Sequence, residues 1–176
     1  MIRKAEKKDI TSISSSYSEL FNYEAVHGSN TNWVDGLYPT KDTAEHAFAK
    51  NMLYVLEVED TICGSMILNR LQPNEYQQIN WQYPVQNQEV LVIHTLCICP
   101  SHAGKGYGKQ MVSYALEEAR RLGCKVVRLD TWEGNRPAAS LYKSMGFRPA
   151  GSAPICLHGL IHEQQIFMEC EVKHND

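Results

Sequence analysis

The chain has 176 residues, 43% of them hydrophobic and 21% charged, with a formal net charge of −3. That length suits one domain with a sizeable core and is too short for two comfortable ones. The composition excludes a disordered chain, and the mild acidity excludes the basic field that nucleic acid or an anionic membrane would attract. The opening MIRKAEKKDI lacks an apolar signal-peptide core, and no apolar run approaches the roughly 20 residues of a membrane-spanning helix, so a cytoplasmic protein is expected.

In chain order, MIRKA reads as a short strand, and Asp9 as the cap of an amphipathic helix with Ile10, Ile13, Tyr17, Leu20, Phe21 and Glu24 along one side. HGSNTNWVDGLYP is a Gly/Asn-rich loop carrying Trp33 and Tyr38, after which Thr40 caps a second helix, KDTAEHAFAKN. MLYVLEVE and TICGSMILNRL are strands joined at Glu59-Asp60 as a hairpin. The long loop QPNEYQQINWQYPVQNQ comes next, and a loop of this length in a compact domain is functional or holds short structure of its own.

A strand over 89–99 leads into the glycine run PSHAGKGYGKQ and then a helix ending at Gly123, with Met111, Ala115, Leu116, Ala119 and Leu122 as its apolar stripe. Glu117 and Arg121 form a surface pair four apart on that helix. KVVRLDTW is a strand, and NRPAASLYKSMG a short helix capped by Asn135 with Pro137 in its first turn. Two final strands, near 147–157 and 164–172, are joined by a loop holding His158 and His162. Hairpins first and crossover helices later predict a mixed α/β (α+β) sheet of about seven strands, with helices on both faces, in one domain over 1–176.

The six cysteines lie mostly in apolar runs, and none forms CxxC. Buried thiols in a reducing compartment behave as small hydrophobes, and Cys97 and Cys99, two apart on a strand, share a face and do not bridge easily. His158 and His162 would suit zinc only on a helix, which Gly159 between strands opposes, so no metal is expected.

The glycine run carries the chemistry. Amides converging in a tight turn before a helix form an anion site, most often for phosphate, and glycines let a ligand approach the backbone. Lys105 and Lys109 add charge at the rim. The spacing fits neither of two common motifs. Gly104 to Gly108 leaves three residues where a P-loop has four, and Gln110 follows Lys109. In Gly104-x-Gly106-x-Gly108 the third glycine comes one place too early for a dinucleotide fingerprint.

LCICPSHAGKGYG, followed some thirty residues later by NRPAASLYKSMGF, resembles the GCN5-related N-acetyltransferases (GNAT), and the order of elements matches that fold over nearly the whole chain. The resemblance implies acetyl-coenzyme A as donor, its pyrophosphate held by amides of Ala103, Gly104, Lys105, Gly106, Tyr107, Gly108 and Lys109. Ala103 departs from the Gln or Arg usual there. It further implies that Leu96, Cys97 and Ile98 pair with the pantetheine arm as an added strand, and that a bulge splays the sheet there and offers an amide to the thioester oxygen. By the same resemblance, Asn135 and Ala138 would lie beside the coenzyme, and Tyr142 would protonate the departing thiolate.

Family members often place a Glu on the strand before the loop. Here residues 90–93 are VLVI, and His94 is the best substitute as general base, at what looks like the position of a functional His in the arylalkylamine acetyltransferases. Glu24, Tyr76 and a chain of waters are further candidates. Trp33, Tyr38, Tyr76 and Trp81 are expected to wall the amine site, with Glu24 or Asp35 as charge partner. The expected activity is direct acetyl transfer to a primary amine of a small molecule, or of a protein. A non-catalytic acyl-coenzyme A sensor is the alternative from another class, and an interaction domain with a vestigial loop is a third. Homodimerisation through sheet edges or the C-terminal strands is compatible with the fold.

Overall fold

In the computed structural model, which describes residues 1–174, the elements follow the expected order. Strand β1 (Ile2–Lys4) leads to helices α1 (Asp9–His27) and α2 (Lys41–Ala49). Strands β2 (Leu53–Val58), β3 (Thr61–Asn69) and β4 (Val90–Ile98) precede helix α3 (Tyr107–Arg121). Strand β5 (Val126–Trp132), helix α4 (Arg136–Ser144), β6 (Arg148–Leu157) and β7 (Ile161–Glu171) complete the chain. All seven strands form one sheet in the order β1-β2-β3-β4-β5-β7-β6. Only β4 and β5 run parallel, because α3 carries the chain across between them. The mixed α/β sheet is the one expected; the domain expected over 1–176 includes two residues that lie outside the described ones.

Helices α3 and α4 cover one face over a core with Met66, Leu91, Met111, Ala115 and Leu129. Helices α1 and α2 cover the other, over Ile13, Tyr17, Leu53 and Val55. The β2–β3 hairpin turns at Glu59 and Asp60, both left-handed (φ 49° and 59°), as its two-residue length demands. Gly123 takes φ 72° just past α3, as a C′ glycine does.

Four local expectations need correcting. Asp9 opens α1 but does not cap its amides. Its Oδ2 accepts from the Arg3 guanidinium (2.7 Å) and the Glu6 N–H (2.7 Å), tying the helix to the edge strand. Arg121 pairs with Glu118 at 2.6 Å rather than with Glu117, because Glu118 is buried on the sheet side of α3, where Tyr54 Oη also donates to it. Leu122 is 37% exposed and leaves the stripe, since the chain turns away at Gly123. His162 lies on β7 and not in a loop: the β6–β7 turn is tight, with left-handed φ at His158 (51°) and Gly159 (71°).

The 71–88 loop contains two short 3-10 turns, Asn74–Gln78 and Asn87–Glu89. It is pinned from beneath by Arg128 on β5 and Glu169 on β7. Arg128 donates to Gln72 Oε1 (2.8 Å) and the Tyr83 carbonyl (3.0 Å), and its guanidinium stacks 4.2 Å from the Trp81 ring centroid. Glu169, fully buried, accepts from the Gln82 N–H at 2.6 Å and stands 3.8 Å from Arg128 Nε. Removing one partner of a buried pair strands the other charge at about 3 to 5 kcal/mol. Arg128→Ala is therefore expected to lower Tm by roughly 10 °C in thermal denaturation. Adding Glu169→Gln should recover part of the loss.

Candidate active site

Strands β4 and β5 pair only over Val90–Val92 and Val126–Arg128, and then part. On β3, Ser65 faces Cys97 while Ile67 faces His94, so Thr95 and Leu96 stand together opposite Met66. This is the expected bulge. Thr95 sits in it at φ 48°, a conformation that costs a β-branched residue energy and marks a constrained site. Beyond Val92, the side of β4 facing β5 has no strand partner among the described residues, so its backbone groups there are open to an added extended chain.

The gap forms a cavity of about 470 Å3. Trp33, Tyr38, Tyr76, His94, Leu96, Asn135, Ala138 and Tyr142 all line it, which brings together eight of the residues singled out in the sequence. Tyr142 is buried on α4, and burial, with the nearby charge of Asp130, pushes its phenol far above the ordinary value, so it keeps its proton. Asn135 Oδ1 accepts from the Ala138 N–H (3.2 Å), fixing the head of α4. Tyr38 shares a hydrogen bond with Thr95 Oγ1 and packs on His158, with ring centroids 4.4 Å apart.

His94 is held down to about 4 by burial, partly offset by a hydrogen bond to the backbone of Leu71. Its Nε2 lies 2.8 Å from Asn69 Oδ1. That oxygen also takes the Leu71 N–H at 2.9 Å, which assigns it as an acceptor, so Nε2 carries the ring proton and Nδ1 the lone pair.

Other expected residues fall elsewhere. Cys97 does not line the cavity, its thiol being buried against α1 and α2. Glu24 does not line the cavity; its carboxylate accepts from Ser29 Oγ, the Asn30 and Thr31 amides and Thr31 Oγ1 at 2.8–3.1 Å, and so shapes the loop that presents Trp33. Asp35 is exposed and away from the wall. Trp81 packs behind Tyr76 and Phe167, donating to the Tyr76 carbonyl at 2.8 Å, and supports the wall without forming it.

Sequence reasoning missed Asp130. Tyr76 Oη donates to its Oδ1 at 2.6 Å, and burial raises its carboxyl to about 6, the hydrogen bond from Tyr76 opposing and the charges of Glu75 and Glu163 adding. The available signal was an acid two residues before the end of the apolar strand VVRLDTW.

In the loop after β4, Gly104 (φ 76°) and Gly106 (φ 78°) take left-handed backbone, and a Cβ on either would meet nothing within 4 Å, leaving open space over the amides. Gly106 caps α3 with no side-chain acceptor for the first-turn N–H groups, and no acid lies in that turn. Ala103, Gly104, Lys105, Gly106 and Lys109 are exposed, while Tyr107 packs on the core. Gly108 serves packing, since a Cβ there would come 3.0 Å from Leu141 Cδ2 on α4. This cradle fits a pyrophosphate: open amides at a helix N-terminus with cations at the rim.

The seven-stranded sheet is thus split by a bulge, with a glycine turn of exposed backbone after the split strand. The model of the acetyltransferase (GNAT) family matches residues 15–147, and the chain belongs to that family, whose enzymes use acetyl-CoA. The L-methionine sulfoximine/L-methionine sulfone acetyltransferase of Salmonella typhimurium is 24% identical over 155 residues, 87% of this chain and 82% of that protein. A GNAT-family acetyltransferase from Streptococcus agalactiae superposes with a TM-score of 0.83 at 17% identity, over 99% of this chain and 96% of that one. The structure of yncA from Salmonella typhimurium, solved with its cofactor acetyl-CoA, gives 0.67 at 20% identity, over 100% and 95%. The chain spans only 30% and 61% of the length of two other curated relatives, the uncharacterized N-acetyltransferases MJ1207 of Methanocaldococcus jannaschii and YvbK of Bacillus subtilis. No helix among the described residues is long and apolar enough to cross a membrane.

Proposed function

We propose that this chain is, as one domain, an acetyl-CoA-dependent N-acetyltransferase that acetylates a primary amine of a small molecule by direct attack in a ternary complex. One observation carries the reading: Asp130 and Tyr142, a base and an acid set apart by their environments, line the same cavity where β4 leaves β5. The amides of Ala103 to Lys109 would hold the pyrophosphate, so Ala103 in place of Gln or Arg removes a side chain but no amide. The free edge at Leu96, Cys97 and Ile98 would hold the pantetheine arm, with Asn135 and Ala138 beside it. When bound, acetyl-CoA supplies the activated acetyl thioester that the amine attacks.

The chain's own residues manage the protons. An alkylammonium near pKa 10 must lose one before attack. Passing it to His94, at about 4, is uphill by roughly 8 kcal/mol, whereas Asp130, at about 6, lowers that to about 5. Asp130 is therefore the better acceptor, and its charge also draws the ammonium in. Tyr142 then gives its proton to the sulfur that leaves.

The test is release of free thiol from acetyl-CoA in a panel of amines. Tyr142→Phe is expected to lower kcat about tenfold with acetyl-CoA affinity unchanged. The loss is modest because a thiol of ordinary pKa about 8.5 leaves tolerably well without a donor. A wild-type chain that binds acetyl-CoA but releases no thiol with any amine would instead be the sensor module.

A further inference from the structure

We propose that the acceptor is an amine without a carboxylate: a decarboxylated amine with an apolar or aromatic body, not an amino acid. The inference rests on the transferase reading and narrows it.

It follows from which charges face the cavity. Among the described residues, no Lys or Arg lines it, while two acids, Glu75 and Asp130, do. Glu163 lies just behind, bonded to Asn32 and Gln165 and close enough to add to the negative potential at Asp130. The nearest buried cation, Arg128, is committed to Gln72, the Tyr83 carbonyl and the Trp81 face. Of the two histidines on the wall, His94 donates to Asn69 and His158 stacks on Tyr38. Glu75 has no ion-pair partner among the described residues and is half-buried in its 3-10 turn.

An α-amino acid carries its carboxylate on the carbon that bears the amine. With the amine beside Asp130, that group would sit among acids with no cation to receive it, and like charges brought together at close range out of water repel strongly. A simple amine meets only attraction there. The remaining wall (Trp33, Tyr38, Trp132, Ile155, Leu157 and Phe167) offers aromatic and aliphatic surface to the body of the acceptor. The similar Salmonella enzyme is named for two amino-acid derivatives, so on this inference the two sites differ in charge.

Matched pairs test it: phenethylamine against phenylalanine, and cadaverine against lysine, each with the full chain and acetyl-CoA. The amine should win by at least thirtyfold in kcat/KM in both pairs, and Glu75→Lys should shrink that ratio fivefold or more. Equal or faster turnover of the amino acid in either pair, or a ratio that Glu75→Lys leaves unchanged, would overturn the inference. Calorimetric binding of the same pairs, with coenzyme A present, separates it from the transferase reading. Tighter binding of the amines without turnover would keep the charge selectivity and sink catalysis. Equal or tighter binding of the amino acids, or no binding of either amine, would overturn the selectivity itself.

Discussion

Asp130→Asn is expected to give a protein that is more stable than the wild type and nearly inactive. The carboxyl titrates at about 6 instead of its ordinary 3.8, first because it is buried. Its neighbours are Tyr76, which donates to it, the acids Glu75 and Glu163, and the high-pKa phenols of Tyr38 and Tyr142. Below pH 3.8 the group is neutral in both folded and unfolded chains, and its burial carries no charge penalty. As pH rises through 6 the folded chain must hold a charge that water would hold more easily, a cost of about 3 kcal/mol that then stays constant.

Asparagine keeps an acceptor for Tyr76 and removes the charge. Tm at pH 7.5 should rise by roughly 5 °C, and the gain should vanish by pH 4. Activity should move the other way. Wild-type kcat/KM should fall as pH drops through about 6, as the acceptor of the amine's proton becomes occupied. The variant should lose that limb and run about a hundredfold slower at neutral pH, the usual scale for a missing acid or base. Thermal denaturation and kcat/KM, both against pH, check the two halves separately. A variant as active as wild type would move the proton acceptor back to His94 or to water.

Gly106→Glu should raise the Kd for acetyl-CoA a hundredfold or more in calorimetric titration. Two effects act together. The left-handed φ of 78° strains any L side chain, and the new carboxylate would stand over amides that attract anions, in space that is otherwise open. The loop is exposed, so the fold should survive, with Tm reduced by only a few degrees. Unchanged affinity would place the coenzyme elsewhere than the glycine loop.

Much of this was legible in the chain because it depends on neighbours in sequence. The hairpin at Glu59-Asp60, the Asn135 cap and the C′ glycine at 123 follow from residues a few positions apart, whose geometry is local. The glycine cradle is legible for the same reason: its amides are consecutive. Arg121 was paired with Glu117 and not Glu118 because the expected stripe on α3 admitted only apolar residues, whereas Tyr54, far away in sequence, gives a buried acid a partner. Glu24, expected on the helix side as a base or charge partner for the amine, is instead the hydrogen-bonded hub of the loop that follows.

By itself, then, the sequence determined the order of elements, the α/β class, the glycine turn before α3 and the presence of Tyr142 on a capped helix, all set by short-range propensity and periodicity. Only the tertiary structure decided where β4 and β5 part. Their pairing stops after Val92 and Arg128 because the bulge at Thr95 turns β4 aside, and register between distant strands leaves no mark in either strand alone. That parting turns Asp130 from an acid in an apolar strand into a buried carboxyl on a cavity wall. It also decides the charge lining that cavity, because potential is summed over residues that meet only once the sheet has formed.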